Sequence, residues 1–126
     1  LLERLEDEGL LQARVIPGAN RPDRREFSLS ADGQHQFETW RCSPVHHIRD
    51  IRQEFLARLY FALNRDAGTA RVLIHAQKET CQAWVDVLNL QINQLEGQLY
   101  EQMVFRYRLA QACAALDWLD TCEGMI

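Results

Sequence analysis

Four arginines gathered around one short, turn-forming segment are the strongest chemical feature of this sequence. Arg14, Arg21, Arg24 and Arg25 lie within residues 11–30, where only Asp23 and Glu26 oppose them, leaving a local charge of +2. The segment they surround, Pro17-Gly18-Ala19-Asn20-Arg21-Pro22-Asp23, consists mainly of residues that favour turns. Guanidinium groups held on such a loop suit phosphate oxygens, and Asn20 adds a neutral hydrogen-bonding partner. The chemistry implied is binding. No phosphate-cradling glycine loop, nucleophile elbow or spaced carboxylate pair outside solvated helix faces accompanies it, so the chain reads as a non-enzyme.

Bulk charge points the other way. The 126-residue chain carries a formal net charge of −4, so attraction to a polyanion must be local. Across residues 79–101, Glu79, Asp86, Glu96 and Glu101 have no basic residue among them. The cationic and acidic ends are therefore separate stretches of sequence.

The elements that must position the arginines are legible around them. Leu1, Leu2 and Leu5 form the apolar face of a helix ending at Gly9, where glycine suits a left-handed C-terminal cap. Two short extended runs follow, Gln12 to Ile16 and Arg24 to Leu29, joined by the turn segment as an antiparallel hairpin. A helix tail, a hairpin and an arginine-bearing loop make up the back half of a winged helix. The chain opens on leucine within an amphipathic pattern, which predicts a fragment or a processed protein whose first residues are missing. Acidic residues near the start argue against a secretory signal.

From Ser30 the pattern is helical. Ser30 is a good N-cap for Ala31 to Trp40, with Phe37 and Trp40 on one side, and Pro44 interrupts it. Ile48, Ile51, Phe55, Leu59 and Ala62 predict a helix from His46 to about Asn64. A longer helix is expected from Thr69 to Gly97, with Cys81, Val85, Leu88, Ile92, Leu95 and Leu99 at near-heptad spacing. The last helix, about Leu99 to Cys122, has two apolar seams. Phe105, Leu109, Ala112, Leu116 and Leu119 form one, and Met103, Tyr107, Ala110 and Ala114 form the other. A helix apolar on two sides needs two neighbours. Either an intramolecular bundle supplies both, or a second copy does. The scarcity of other helices favours a homodimer, with Val85, Leu88, Ile92, Leu95, Leu99, Leu116 and Leu119 at its interface.

The remaining reactive side chains form no strong pattern. Cys42, Cys81, Cys113 and Cys122 are widely spaced and read as reduced thiols of a cytoplasmic protein. Cys42, His46 and His47 resemble half of a metal site, but no second ligand pair at short spacing completes it, so no metal is expected. Trp40, Trp84 and Trp118 are core or interface residues by default. Trp84, beside the expected seam, is the ligand-binding candidate, with Tyr107, Tyr100 or Phe105 able to close a pocket over it. No apolar run is long enough to cross a bilayer.

Several stretches, taken in order, resemble PadR-type transcriptional regulators. Leu5-Glu6-Asp7-Glu8-Gly9-Leu10-Leu11 is similar to the end of that family's recognition helix. Arg21-Pro22-Asp23-Arg24-Arg25-Glu26-Phe27-Ser28-Leu29-Ser30-Ala31-Asp32-Gly33 resembles its wing and exit. Ile48-Arg49-Asp50-Ile51-Arg52-Gln53-Glu54-Phe55-Leu56 is similar to the first helix of its C-terminal domain, and Leu116-Asp117-Trp118-Leu119-Asp120 resembles a Trp-Leu signature near its end. The resemblance covers nearly the whole chain, without the family's first two helices or the start of its recognition helix.

That resemblance implies a mainly α fold with a small antiparallel β-hairpin. Residues 1–42 would be a partial winged-helix DNA-binding domain, and 43–126 a helical dimerisation domain of the subgroup with large C-terminal domains. It implies a homodimeric bacterial repressor of palindromic operator DNA, without a cofactor, and admits release by a small aromatic effector. Arg21, Arg24 and Arg25 with Asn20 are then the expected DNA contacts, unless pairing with Asp23 or Glu26 absorbs Arg24 or Arg25. Arg4, on the recognition-helix tail, is a further candidate. The alternative is a truncated dimerisation module without DNA binding of its own.

Overall fold

Gly9 and Ser30 together explain how the N-terminal part holds its shape. The computed structural model describes all 126 residues and divides them into two compact units, Leu1–Trp40 and Arg41–Ile126. In the first, helix α1 (Leu2–Asp7) ends in a reverse turn: Gly9 takes φ +79° and donates its N–H to the Glu6 carbonyl at 2.9 Å. The Leu10 N–H reaches back to Leu5, also at 2.9 Å, which completes a Schellman-type cap. Strands β1 (Leu11–Ile16) and β2 (Arg24–Leu29) pair antiparallel, in register from Leu11 opposite Leu29 to Ile16 opposite Arg24. The Ser30 N–H bonds the Leu10 carbonyl, and its hydroxyl donates to the Gly9 carbonyl while accepting from the Gly33 N–H at 3.0 Å. One serine thus joins the end of α1, the base of the hairpin and the start of helix α2 (Ala31–Cys42).

Phe37 and Trp40 stack on α2 with ring centroids 6.0 Å apart, as their shared side implies. The division between the units falls within the last turn of α2, just before the expected boundary at residue 42.

The second unit is built on helices α3 (Leu56–Arg65), α4 (Ala67–Asn93) and α5 (Leu99–Gly124). Its core gathers Val45, Phe55, Leu59, Ala62, Ala70, Leu73, Ile74, Cys81 and Leu119, and Trp118 packs edge-on against the Phe55 ring. Helices α4 and α5 are antiparallel neighbours. Arg71, early in α4, donates to the Ile126 carbonyl, and Lys78 pairs with Asp120 at 2.5 Å and Glu123 at 3.3 Å late in α5.

The helix boundaries differ from periodicity in informative ways. The helix expected from His46 opens only at Ile48, as a 3₁₀ turn (Ile48–Asp50) followed by a π turn (Ile51–Phe55) before α3. His47 is extended, at φ −126° and ψ 136°. The residues before it are held in a non-helical course by the side chains of Gln77 and Arg58, which bond their backbone. The long helix starts two residues before Thr69, because Asp66 caps it by accepting the Thr69 N–H at 2.6 Å. It stops at Asn93 and the chain reverses through Gly97, which takes φ +80°. The last helix continues past Cys122 to Gly124.

Candidate nucleic-acid interface and a cavity in the helical unit

Strand alternation sorts the arginines of the hairpin into two groups. With Arg24 opposite Ile16, Glu26 opposite Arg14 and Ser28 opposite Gln12, these residues share one face, while Arg25, Phe27 and Leu29 point to the other. Arg25 is engaged: its Nη2 lies 2.9 and 2.6 Å from the two carboxylate oxygens of Glu6 on α1, and its guanidinium sits 5.0 Å from the Phe27 ring centre. This pair, rather than Asp23 or Glu26, absorbs the cation, so Arg25 is a brace between hairpin and helix. Arg4 is likewise paired, with Glu8 at 3.0 Å.

Asn20, Arg21 and Arg24 are exposed, at the tip of the loop and its exit. The loop is shaped by Asp23, whose carboxylate accepts the Gly18 N–H at 3.0 Å. The Arg21 and Pro22 carbonyls occupy the space a Cβ at position 18 would need, so glycine is required there. Arg14 joins Arg24 on the open face. Charge counting includes Arg14 but gives it no role; the period of two, combined with the strand register, is the signal that places it beside Arg24.

In the helical unit, residues 46–48, α4 and α5 line an open cavity of about 390 Å³. Trp84, Val87, Leu88, Ile48 and Ala112 give it apolar walls, and His46, His47, Gln91, Arg108 and Gln111 supply its polar atoms. No carboxylate lines it, although the adjoining stretch of α4 is acidic. Trp84 lines this pocket. Tyr107 does not: it points away, 65 % exposed, and only its hydroxyl, accepting from Gln111 at 3.3 Å, approaches the wall. The histidines of the suspected metal half-site belong to this cavity, and no group of three His, Cys, Asp or Glu side chains that could hold a metal assembles anywhere. All four cysteines are free thiols.

The interface residues expected between copies need correction. Val85, Ile92 and Leu119 are buried inside a single chain, where α4 packs on α5, and so present nothing to a partner. Leu88, Leu95 and Leu116 are half-buried and Leu99 is open. The first seam of α5 is thus satisfied internally. The second seam, Met103, Tyr107, Ala110 and Ala114, is wholly exposed. Ala112 lies nine residues beyond Met103, about half a turn around the helix axis, so the two seams occupy opposite sides of α5.

A capped helix tail, a two-stranded hairpin and a bundle of long helices match the back half of a winged-helix fold with a helical C-terminal extension. The family described as Virulence activator alpha C-term matches residues 51–126, more than half the chain, and this protein belongs to that family. No curated protein sequence matches it. Among solved structures, the fold is similar to Bacillus subtilis PadR in complex with operator DNA, at TM-score 0.53 and 18 % identity, over 99 % of this chain and 75 % of that one. The Streptococcus mutans UA159 protein smu.1604c aligns at TM-score 0.48 and 23 % identity, over 95 % and 72 %. Neither the family description nor the PadR complex is that of an enzyme. No helix is long and apolar enough to cross a membrane.

Proposed function

We propose that this protein is a DNA-binding transcriptional regulator that sets its hairpin against the phosphate backbone of an operator. Asn20, Arg21 and Arg24 are the contacts, with Arg14 on the same open face, while Arg25 braces the hairpin against α1 through Glu6 and Arg4 is paired with Glu8 at the end of its own helix. The observation that carries this reading is the sorting of the arginines. At the tip and on one face, Arg14, Arg21 and Arg24 make no ion pair, Glu26 opposite Arg14 being the acid of that face, whereas Arg25 is neutralised by Glu6 of α1. Such contacts supply affinity and register more than base choice. The likeness to a PadR structure holding operator DNA supports the same assignment.

The working unit is a homodimer, with the open seam of α5 and the exposed Leu99, Tyr100 and Leu90 covered by a second copy. It binds a two-fold symmetric operator with half-sites about one helical turn apart. It represses where that operator overlaps a promoter. The cavity beside Trp84 receives a small aromatic effector whose binding releases the DNA.

The test is the salt dependence of DNA binding by the full-length protein, using a duplex selected from a random-sequence pool. Replacing Arg21 and Arg24 by alanine lowers the log–log slope by about 0.9 for each phosphate that is no longer neutralised. Arg25→Ala lowers it less. An unchanged slope in the double variant removes the hairpin from the interface, and a dimer that selects no DNA at all establishes the interaction-module reading instead.

A further inference from the structure

We infer that the Gln77 side chain is the latch through which occupancy of the cavity reaches the segment leaving α2, an inference that rests on the effector reading above. Residues 43–46 run in a non-helical course between α2 and the 3₁₀ turn, which opens where the His47 carbonyl accepts the Asp50 N–H at 2.9 Å. At their midpoint the Val45 N–H donates to Gln77 Oε1 at 2.7 Å, and Gln77 Nε2 donates to the Val45 carbonyl at 3.0 Å. Both residues are buried, Gln77 completely. A step earlier, Arg58 Nη1 donates to the Ser43 carbonyl at 2.7 Å. One glutamine amide on α4 thus serves as the hydrogen-bond partner that a neighbouring strand would otherwise provide.

The segment faces two ways from this point. Toward the N-terminus it continues through Ser43 into the end of α2. Toward the C-terminus, His46, His47 and Ile48 line the cavity together with Trp84 and Leu88 of α4. Trp84 follows Gln77 by seven residues, two turns and about 10 Å along the same helix. Latch and cavity therefore share one rigid base, and the backbone between them is the part that can respond. A doubly hydrogen-bonded amide buried in a core is made or broken as a unit, because breaking it strands polar groups away from water. Residues 43–48 consequently have discrete positions, which a switch requires and a compliant loop would lack. A ligand seated against Trp84 presses on His46–Ile48, and the Val45–Gln77 pair decides whether that displacement is passed to α2.

The experiment uses the full-length protein, a selected DNA duplex and naphthoate, a flat apolar body with an anionic end suited to Trp84 and Arg108. In the wild type, naphthoate raises the Kd for DNA by about five-fold or more. Gln77→Leu binds naphthoate with similar affinity, because Gln77 does not line the cavity, yet the rise in Kd falls below about two-fold. A rise equal to that of the wild type overturns the latch. So does naphthoate that binds without affecting DNA. Failure of the wild type to bind naphthoate, or binding that survives filling the cavity with Leu88→Trp, overturns the effector reading and the latch with it. Should Gln77→Leu not fold, hydrogen exchange on the wild type decides. Naphthoate changes the exchange rate of the Val45 amide by about ten-fold while those of Leu73 and Ile74 in α4 hold, and an unaltered Val45 rate refutes the coupling.

Discussion

Truncating the open seam of α5 should dissociate the protein without unfolding it. Met103 and Tyr107 are 59 % and 65 % exposed in the single chain, on the side of α5 opposite Ala112 and Leu119. Complete burial of a large apolar side chain is worth about 1.5–3 kcal/mol. Covering the exposed six-tenths therefore contributes about 1–2 kcal/mol per residue. In a two-fold interface each residue occurs twice, so Met103→Ala costs about 2–4 kcal/mol of dimer. That range corresponds to a dimer dissociation constant raised about 30- to 1,000-fold. Sedimentation equilibrium across nanomolar to micromolar concentrations reads this directly, and circular dichroism checks that helicity is kept. Leu119→Ala provides the contrast: it empties a fully buried site and costs about 2–5 kcal/mol of folding stability within one chain. A wild-type protein that stays monomeric at micromolar concentration refutes the reasoning, as does a Met103→Ala, Tyr107→Ala variant that dimerises as tightly as the parent.

Other outcomes follow from individual side chains. Removing the Arg25–Glu6 pair with Glu6→Gln costs about 0.2–1 kcal/mol, since both partners are substantially exposed, and salt narrows the difference; thermal melts at low and high salt read it, and equal losses at both exclude an electrostatic brace. The bond from the Thr69 N–H, with the Thr69 hydroxyl, holds the Asp66 carboxyl below its ordinary pKa of 3.8. A depressed folded pKa adds stability above the unfolded value and loses it as pH falls through the folded one. Asp66→Ala should therefore lower the melting temperature at pH 7, and the gap from wild type should close on acidification below about pH 4; a gap independent of pH removes the cap from the account. Burial pushes the thiols of Cys81 and Cys122 up, so a thiol reagent at neutral pH should modify exposed Cys113 first and Cys81 only on unfolding. Cys81 reacting as fast as Cys113 would show that the α4 core opens readily.

The hairpin was legible because two independent local signals coincide there: alternating extended runs and a turn segment rich in proline and glycine. The helices were legible for the same reason, through apolar spacing. What spacing cannot encode is which neighbour satisfies a seam. Val85, Ile92 and Leu119 carry the same pattern whether their partner is α5 of the same chain or a helix of another, and the short reversal at Gly97 decides for the same chain. Gln77 shows the complementary gap. It occupies a position on the buried face of α4, between Ile74 and Cys81, where periodicity expects an apolar residue. A polar residue in such a register signals a buried partner. That partner is the main chain at Val45, displaced from helix by Pro44, and no pairwise side-chain pattern announces it.

The arginines carry the same lesson to function. Counting charge over residues 11–30 treats Arg24 and Arg25 as equals, yet they are adjacent on a strand and must face opposite ways. Glu6, on a different element, lies outside that count and neutralises Arg25 across the fold. What remains on the open side is Arg24 with Arg14 and its cross-strand neighbour Glu26, beside Arg21 and Asn20 at the tip, still net cationic. A polyanion meeting the hairpin therefore encounters a cationic edge on one face and, on the other, a salt bridge that stiffens the edge's support. A stiffened wing loses less conformational entropy on binding, so Glu6 should favour DNA affinity even though its own charge repels phosphate. In a salt titration both contributions, being electrostatic, are screened together: Glu6→Gln weakens binding at low salt, where the Arg25–Glu6 pair is strongest, and the difference from wild type narrows as salt rises. Tighter binding by Glu6→Gln at every salt concentration would mean that Glu6 acts only as a repelling charge, and that Arg25 itself touches phosphate.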